Sequence, residues 1–221
     1  MLETIIKLLD RYGYVYMQGL LGTLCLAAIT VLFGTVIGIV LAVMRLSKFK
    51  PFQWFVGFYI WVLRGTPILL QLYFFWIFLP RVIPVKISDS LCIIIALIIN
   101  ASSYVAEVIR AGIQAVDKGQ TEAARSLGIT AAHTMTKIIL PQAVKNILPA
   151  LGNEFISMIK QASLASVFFI NELTTSYKTV LSATYRPVES IIIAGVIYLM
   201  VTTVLGQLLK YAEWRMNRNE R

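Results

Sequence analysis

Charge is scarce in this 221-residue chain: Asp, Glu, Lys and Arg make up 14% of it, where a soluble domain carries about a quarter. Apolar residues fill 58% of the sequence and mean hydropathy is +0.76. A sizeable soluble domain, a disordered chain and most soluble enzyme folds are excluded by that balance. Cysteine is nearly absent too. Cys25 and Cys92 lie in apolar runs with no ligand-like spacing, which excludes a disulfide scaffold. His133 is the single histidine, so neither a two-histidine metal site nor an intramembrane serine protease with a histidine base finds its residues. No G-x-x-x-x-G-K-[ST] occurs, and the chain has no P-loop of its own. Acid is short relative to base, with 11 Asp+Glu against 20 Lys+Arg and a net charge of +9. In a chain this apolar, basic residues mark cytoplasmic loops rather than a nucleic-acid surface.

What is present is hydrocarbon in span-length pieces. At roughly 20 residues per membrane helix, uncharged stretches place spans at about 15–45, 52–79, 89–116, 146–170 and 188–212. The first is too long for a signal-peptide core and has no small-residue cleavage site. Only Arg64 interrupts the second. The fourth carries Glu154 and Lys160 and is the weakest of the five. The expected fold is an all-α integral membrane protein, one transmembrane domain over 1–221, with five helices embedded in the lipid bilayer.

An odd number of spans puts the termini on opposite sides. Arg45, Lys48 and Lys50, then Arg110, Lys118, Arg125, Lys137 and Lys145, then Lys210, Arg215, Arg218 and Arg221 fall on one side. Lys7, Arg11, Arg81, Lys86, Lys178 and Arg186 fall on the other. Twelve against six places the N-terminus outside and the C-terminus in the cytoplasm.

The cytoplasmic segment of about 110–145 has soluble-protein chemistry. Asp117-Lys118-Gly119 reads as a turn. Residues 119–128 read as a short helix with Gly128 as its stop, and Thr130 can cap a second helix. Pro141 and Pro149 are expected to break or bend the chain beyond it. Glu122-Ala123-Ala124, Gly128, Ile138 and Leu140-Pro141 spell E-A-A-x3-G-x9-I-x-L-P.

That pattern resembles the cytoplasmic signature of ABC importer permeases. Three further stretches resemble the polar amino acid permeases of the histidine, glutamine, arginine and cystine type: Arg64-Gly65-Thr66-Pro67 with Ile68 to Gln71, Ser103 to Gln114, and Leu151 to Ser157 with Lys160 to Leu164. The resemblance covers about residues 15–214. It implies a type I importer permease in the bacterial plasma membrane that moves an amino acid. It also implies a second permease subunit, identical or a sister chain, two ABC ATPase subunits and an extracytoplasmic binding protein. ATP and Mg would be held by the ATPase, with no cofactor in this chain and no enzymatic activity of its own. The short helix would dock on the ATPase. Ala123 and Ala124 would allow close approach, Glu122 and Arg125 would give polar register, and Gly128 would form the exit.

Polar residues at membrane depth usually have a packing or a transport reason. Gly65-Thr66-Pro67, with Gln71 one turn on, can break the second span and expose backbone groups to a zwitterion. It can equally be a packing kink, with Thr66 bonded back to its own helix. Asn100, Tyr104 and Glu107 share one face of the third helix; Asn153, Ser157 and Gln161 repeat that spacing on the fourth. Glu107 either holds a substrate ammonium or pairs with Arg64 or Arg110. Relatives often carry Asp or Asn where Gln161 stands, so a neutral amide here favours polar or neutral substrates, cystine included, over strictly cationic ones. A small dimeric secondary transporter using Glu107 as an ion or proton site is the competing function. Gly34-x3-Gly38 permits close helix packing, inside the subunit or across a dimer.

Overall fold

The computed structural model describes residues 1–217; Arg218 and Arg221, two of the basic residues assigned to the cytoplasmic side, lie outside the described residues. Helix α1, Leu2–Leu46, runs 45 residues, about 68 Å at 1.5 Å per residue. It begins 13 residues before the expected span and overhangs a hydrocarbon core of about 30 Å. The next span is two helices, α2 (Lys50–Gly65) and α3 (Ile68–Val82), bent by 110° at Thr66-Pro67. Helix α4 follows at Asp89–Gln114, and α5 at Lys118–Ser126. A single turn, α6 (Ala131–His133), continues through a π turn at Thr134–Ile139 into α7, Leu140–Gln161. A 3-10 turn at Ala162–Phe168 leads to α8 (Leu173–Thr184), and α9 (Pro187–Asn217) ends the described chain.

Among the described residues, α1, α4 and α9 are long and apolar enough to cross a membrane, and the bent α2/α3 pair makes a fourth candidate. Helix α7 has the length but not the hydropathy, because Lys145, Asn146, Asn153, Glu154 and Lys160 interrupt it. Neither proline ends α7. Pro141 sits in its first turn, directly after the π turn, and Pro149 lies inside it.

Helix α4 is the hub. Ile93, Ala96, Leu97 and Ala101 are fully buried against Leu26 and Ala27 of α1, Leu72 of α3, and Met158 and Ile159 of α7. The glycine pair of α1 serves this packing inside the subunit. A Cβ on Gly34 would lie 2.9 Å from Ala101 Cβ, and one on Gly38 2.7 Å from Val105 Cγ1. Lipid tails are as apolar as leucine, so this dense backbone approach, rather than escape from water, holds α1 on α4.

Helix α8 was not foreseen, and polar side chains fix it. Glu172 is fully buried at its N-cap and accepts from Thr174 N (2.8 Å), Thr175 N (2.5 Å) and the Tyr198 hydroxyl of α9 (2.9 Å). Leu173 N donates to Thr23 Oγ1, and Ser176 Oγ donates to Val15 O, binding α8 to α1.

Candidate functional site

Pro67 has no N–H, so the carbonyl of Leu63 four residues earlier loses its helical partner. Thr66, as the residue before proline, is pushed to extended backbone at φ −118° and ψ 147°. Gln71 closes the gap. Its Nε2 donates to Leu63 O at 2.7 Å, with Thr66 Oγ1 at 2.8 Å and Thr66 O at 3.1 Å. Its Oε1 accepts from Asn100 Nδ2 at 2.8 Å. The Thr66 hydroxyl itself bonds back to Val62 O at 2.8 Å. Gln71 and Asn100 are both buried. These two amides therefore splice the broken span onto α4, and the open backbone groups expected at Gly65-Thr66-Pro67 are largely taken. A cavity of about 500 Å³ lies in the bend, lined mostly by aromatic and aliphatic side chains with Thr66 and Gln71 at its polar corner.

Down α4 the polar face emerges from the core. Tyr104 and Glu107 are half-buried. Arg64, from the end of α2, sets its guanidinium 5.2 Å from the centre of the Tyr104 ring, within cation–π range. Glu107 accepts from Arg110 Nε at 2.8 Å and from Arg110 Nη2, a two-pronged pair, and Arg64 Nη1 lies 3.9 Å from it. Both pairing options for this carboxylate are thus occupied at once. A carboxylate so held is a poor carrier of a lone proton or ion.

On α7 the expected stripe divides. Ser157 and Gln161 are half-buried and bonded, Gln161 Nε2 to Ser157 Oγ at 3.0 Å. Asn153 is exposed and turns back to Pro149 O at 3.2 Å. Glu154, absent from the expected stripe, lies beside that face. It stands three and seven residues before Ser157 and Gln161, and its Oε1 is buried without a hydrogen-bond partner. Arg64 is near enough for its charge to act on Glu154 as well as on Glu107. The contacts of the Arg64 guanidinium itself are with Tyr104 and Glu107 of α4. The signal for Glu154 was in the sequence: an acidic residue inside a span is itself a site candidate.

At the other end of the subunit, α5 starts on Asp117, whose Oδ1 accepts from Gly119 N at 2.6 Å. It ends with Ile129 N donating to Ala124 O at 3.1 Å around Gly128, whose φ of +79° favours glycine. Arg125 Nη1 donates to Ile129 O at 2.8 Å and braces the exit. Glu122, Ala123, Arg125 and Leu127 are exposed, the last at 80%. Ala124 is buried instead; it lets α5 close on its own chain, where α5 packs on the π turn. Thr130 Oγ1 accepts from His133 N at 3.3 Å, so Thr130 caps as expected. His133 is exposed there, and the described residues contain no group of metal-ligating side chains.

These features define a class: an all-helical membrane protein with a charged cluster at a broken helix and an exposed short helix outside the bundle. The comparisons carry the assignment further. The family described as "Binding-protein-dependent transport system inner membrane component" matches residues 34–218, and the chain belongs to that family. It is 38% identical to the arginine transport system permease protein ArtQ of Bacillus subtilis, over 92% of this chain and 93% of the relative. It is 40% identical to the nopaline transport system permease protein NocM of Agrobacterium fabrum, over 90% and 86%. A crystal structure of an amino acid ABC transporter with histidines aligns at a TM-score of 0.89 and 44% identity, over 94% of this chain and 96% of that one. The inward-facing MetNI methionine ABC transporter, at 19% identity and a TM-score of 0.70, shares the fold.

Proposed function

We propose that this chain is the permease subunit of an ATP-driven amino acid importer and forms its translocation pathway. A separate ABC ATPase would drive it through α5, and ATP and Mg would bind there. The observation that carries the reading is α5: a short helix outside the bundle, closed against its own chain through Ala124 and open through Glu122, Ala123, Arg125 and Leu127. Named relatives serving arginine, nopaline and glutamine support an amino acid as cargo. A second permease subunit and an extracytoplasmic binding protein complete the assembly on this reading.

We count five spans by including α7. Its apolar side packs on α4, α9 and α1, and its Glu154–Ser157–Gln161 side faces the pathway rather than lipid. The basic residues keep the N-terminus outside and the C-terminus cytoplasmic.

For the cargo, Arg64 suits an α-carboxylate and the unpartnered Glu154 oxygen an α-ammonium. Gln161, two turns along α7, would meet the side chain, and its neutral amide favours polar or neutral amino acids. Copurifying the chain with its ATPase and measuring ATP hydrolysis and uptake against a panel of amino acids tests this. Stimulation by none of them, or uptake without any ATPase, would overturn it.

A further inference from the structure

The start of α2 carries a second cluster, apart from the groups assigned to the proposed pathway. Arg45, at the end of α1, folds back over α2, where its Nη1 donates to Gln53 O. It lies against Gly57 so closely that a Cβ there would overlap the guanidinium. The intervening turn is fixed by Gln53 Nε2 on Ser47 O at 2.7 Å and Ser47 Oγ on Met44 O at 2.8 Å. The result is a cleft of about 410 Å³ lined by Arg45, Gln53, Trp54, Gly57, Phe58 and Trp61.

Two properties select its occupant. The first is charge. Arg45 is joined by exposed Lys48 and Lys50, and no Asp or Glu stands anywhere between Asp10 and Asp89. Glu107, the acidic group on which Arg45's charge acts, is already bonded to Arg110. The second is the wall. Trp54, Phe58 and Trp61 repeat at helical spacing down one face of α2 and are 81%, 64% and 71% exposed. That strip descends about 10 Å from the basic end, as an acyl chain descends from its headgroup. A free anion would use the cations and ignore the aromatic strip; a lipid with an anionic headgroup uses both.

We infer that this cleft binds the phosphodiester group of an anionic phospholipid, with Arg45, Lys48 and Lys50 around the headgroup and the Trp54–Phe58–Trp61 strip along a chain. Positive-inside bias alone asks only that cations be nearby. Here a guanidinium is seated in a recess that requires glycine at position 57. With the C-terminus cytoplasmic, the site faces the cytoplasmic leaflet, where anionic lipids act on juxtamembrane cations.

The test uses the purified permease–ATPase complex and a photoactivatable diacyl phosphatidylglycerol, with adducts mapped by mass spectrometry. Adducts are expected to concentrate on residues 45–61 and to resist competition by inorganic phosphate or glycerol 3-phosphate. The same label on phosphatidylcholine should react there several-fold less. Arg45→Gln should cut labelling about fivefold, the worth of one cation at a charged surface. Should that variant fail to fold, the exposed pair Lys48→Gln/Lys50→Gln must lower labelling by at least as much. Equal labelling by phosphatidylcholine, displacement by free phosphate, or labelling unchanged in the lysine pair would overturn the inference. So would disulfide formation between two copies of Trp54→Cys, which would mean a second subunit covers the strip.

Discussion

Two of the chain's helix breaks, at Gly128 and at Pro67, are repaired in opposite ways. At Gly128 everything is local. The exit is closed by Ile129 N on Ala124 O and Arg125 on Ile129 O, all within six residues. Such a turn spends no distant side chain, and it leaves Glu122, Ala123 and Leu127 facing outward. At Pro67 the repair is remote. Gln71 reaches back eight residues to Leu63 O and is itself held by Asn100 on another helix. A local repair leaves a free surface for a partner, whereas a remote repair consumes polar groups that would otherwise meet a substrate. By that argument Gln71 and Asn100 are joinery. On the proposed reading, Arg64 and Glu154 are then left to carry the chemistry of the pathway.

The largest effect is expected at the free surface. Glu122→Lys reverses the one acidic charge of α5 and should reduce ATP-driven uptake at least 30-fold, the scale of losing a roughly 2 kcal/mol contact at an interface centre. The thermal stability of the membrane part should not change. Gly128→Val, a β-branched residue forced to φ +79°, should do the same, and Gly128→Asn, which tolerates that conformation, should be far milder. Full uptake by Glu122→Lys in reconstituted vesicles would remove α5 as the coupling element.

Next comes the unpartnered carboxylate. Glu154→Gln should weaken substrate coupling about 10- to 150-fold, the range for one charge-assisted hydrogen bond of roughly 1.5–3 kcal/mol, at little cost in stability because no native hydrogen bond to Oε1 is lost. Binding of a labelled amino acid to the complex, alongside a melting curve, separates the two. A variant that melts early and transports normally would make Glu154 part of the joinery. Gln161→Asp adds a negative charge two turns further along that face and should shift preference toward cationic amino acids; an unchanged preference in a folded variant would take Gln161 out of the site.

The sequence carried these two regions unequally, for a physical reason. α5, its Gly128 exit and the Thr130 cap of the turn that follows are written in neighbouring residues, so local chemistry and the E-A-A pattern together anticipated them, while Asp117, read as part of a turn, also proved to be the cap of α5. The break at Thr66-Pro67 was legible because proline acts on its own helix. That Gln71 repairs it was not, since nothing short of the folded pairing of α3 with α4 brings Asn100 to Gln71. The same holds for α8, which no strong apolar period marks and which Glu172, Thr23 and Tyr198 fix from three separate segments. Asn153 and Glu154 are adjacent, and choosing between them needed the helix rotation that packing on α4 sets. Spacing alone picks out Asn153 with Ser157 and Gln161; the buried, unpartnered Oε1 of Glu154 shows only in the folded packing.

The joinery itself can be tested by restoring the bond that proline removed. Gln71→Leu strips Leu63 O and Asn100 of their partner and should destabilise the subunit. Hydrogen bonds between membrane helices average about 0.6 kcal/mol and reach about 1.7, so the bonds to Leu63 and Asn100 alone predict roughly 1–3 kcal/mol, with the two contacts to Thr66 lost as well. Pro67→Ala returns an N–H to position 67, which can donate to Leu63 O if the helix straightens. The double variant Pro67→Ala/Gln71→Leu should therefore recover part of the loss, about the share of one bond, and Asn100 would still lack its acceptor. Unfolding of all three variants in detergent by a thermal or denaturant titration gives the coupling energy directly. Positive coupling with reduced transport in the double variant would mean that the 110° bend is needed for the pathway and Gln71 only to hold it. Strict additivity would instead detach Gln71 from the proline and return it to the groups free to meet substrate.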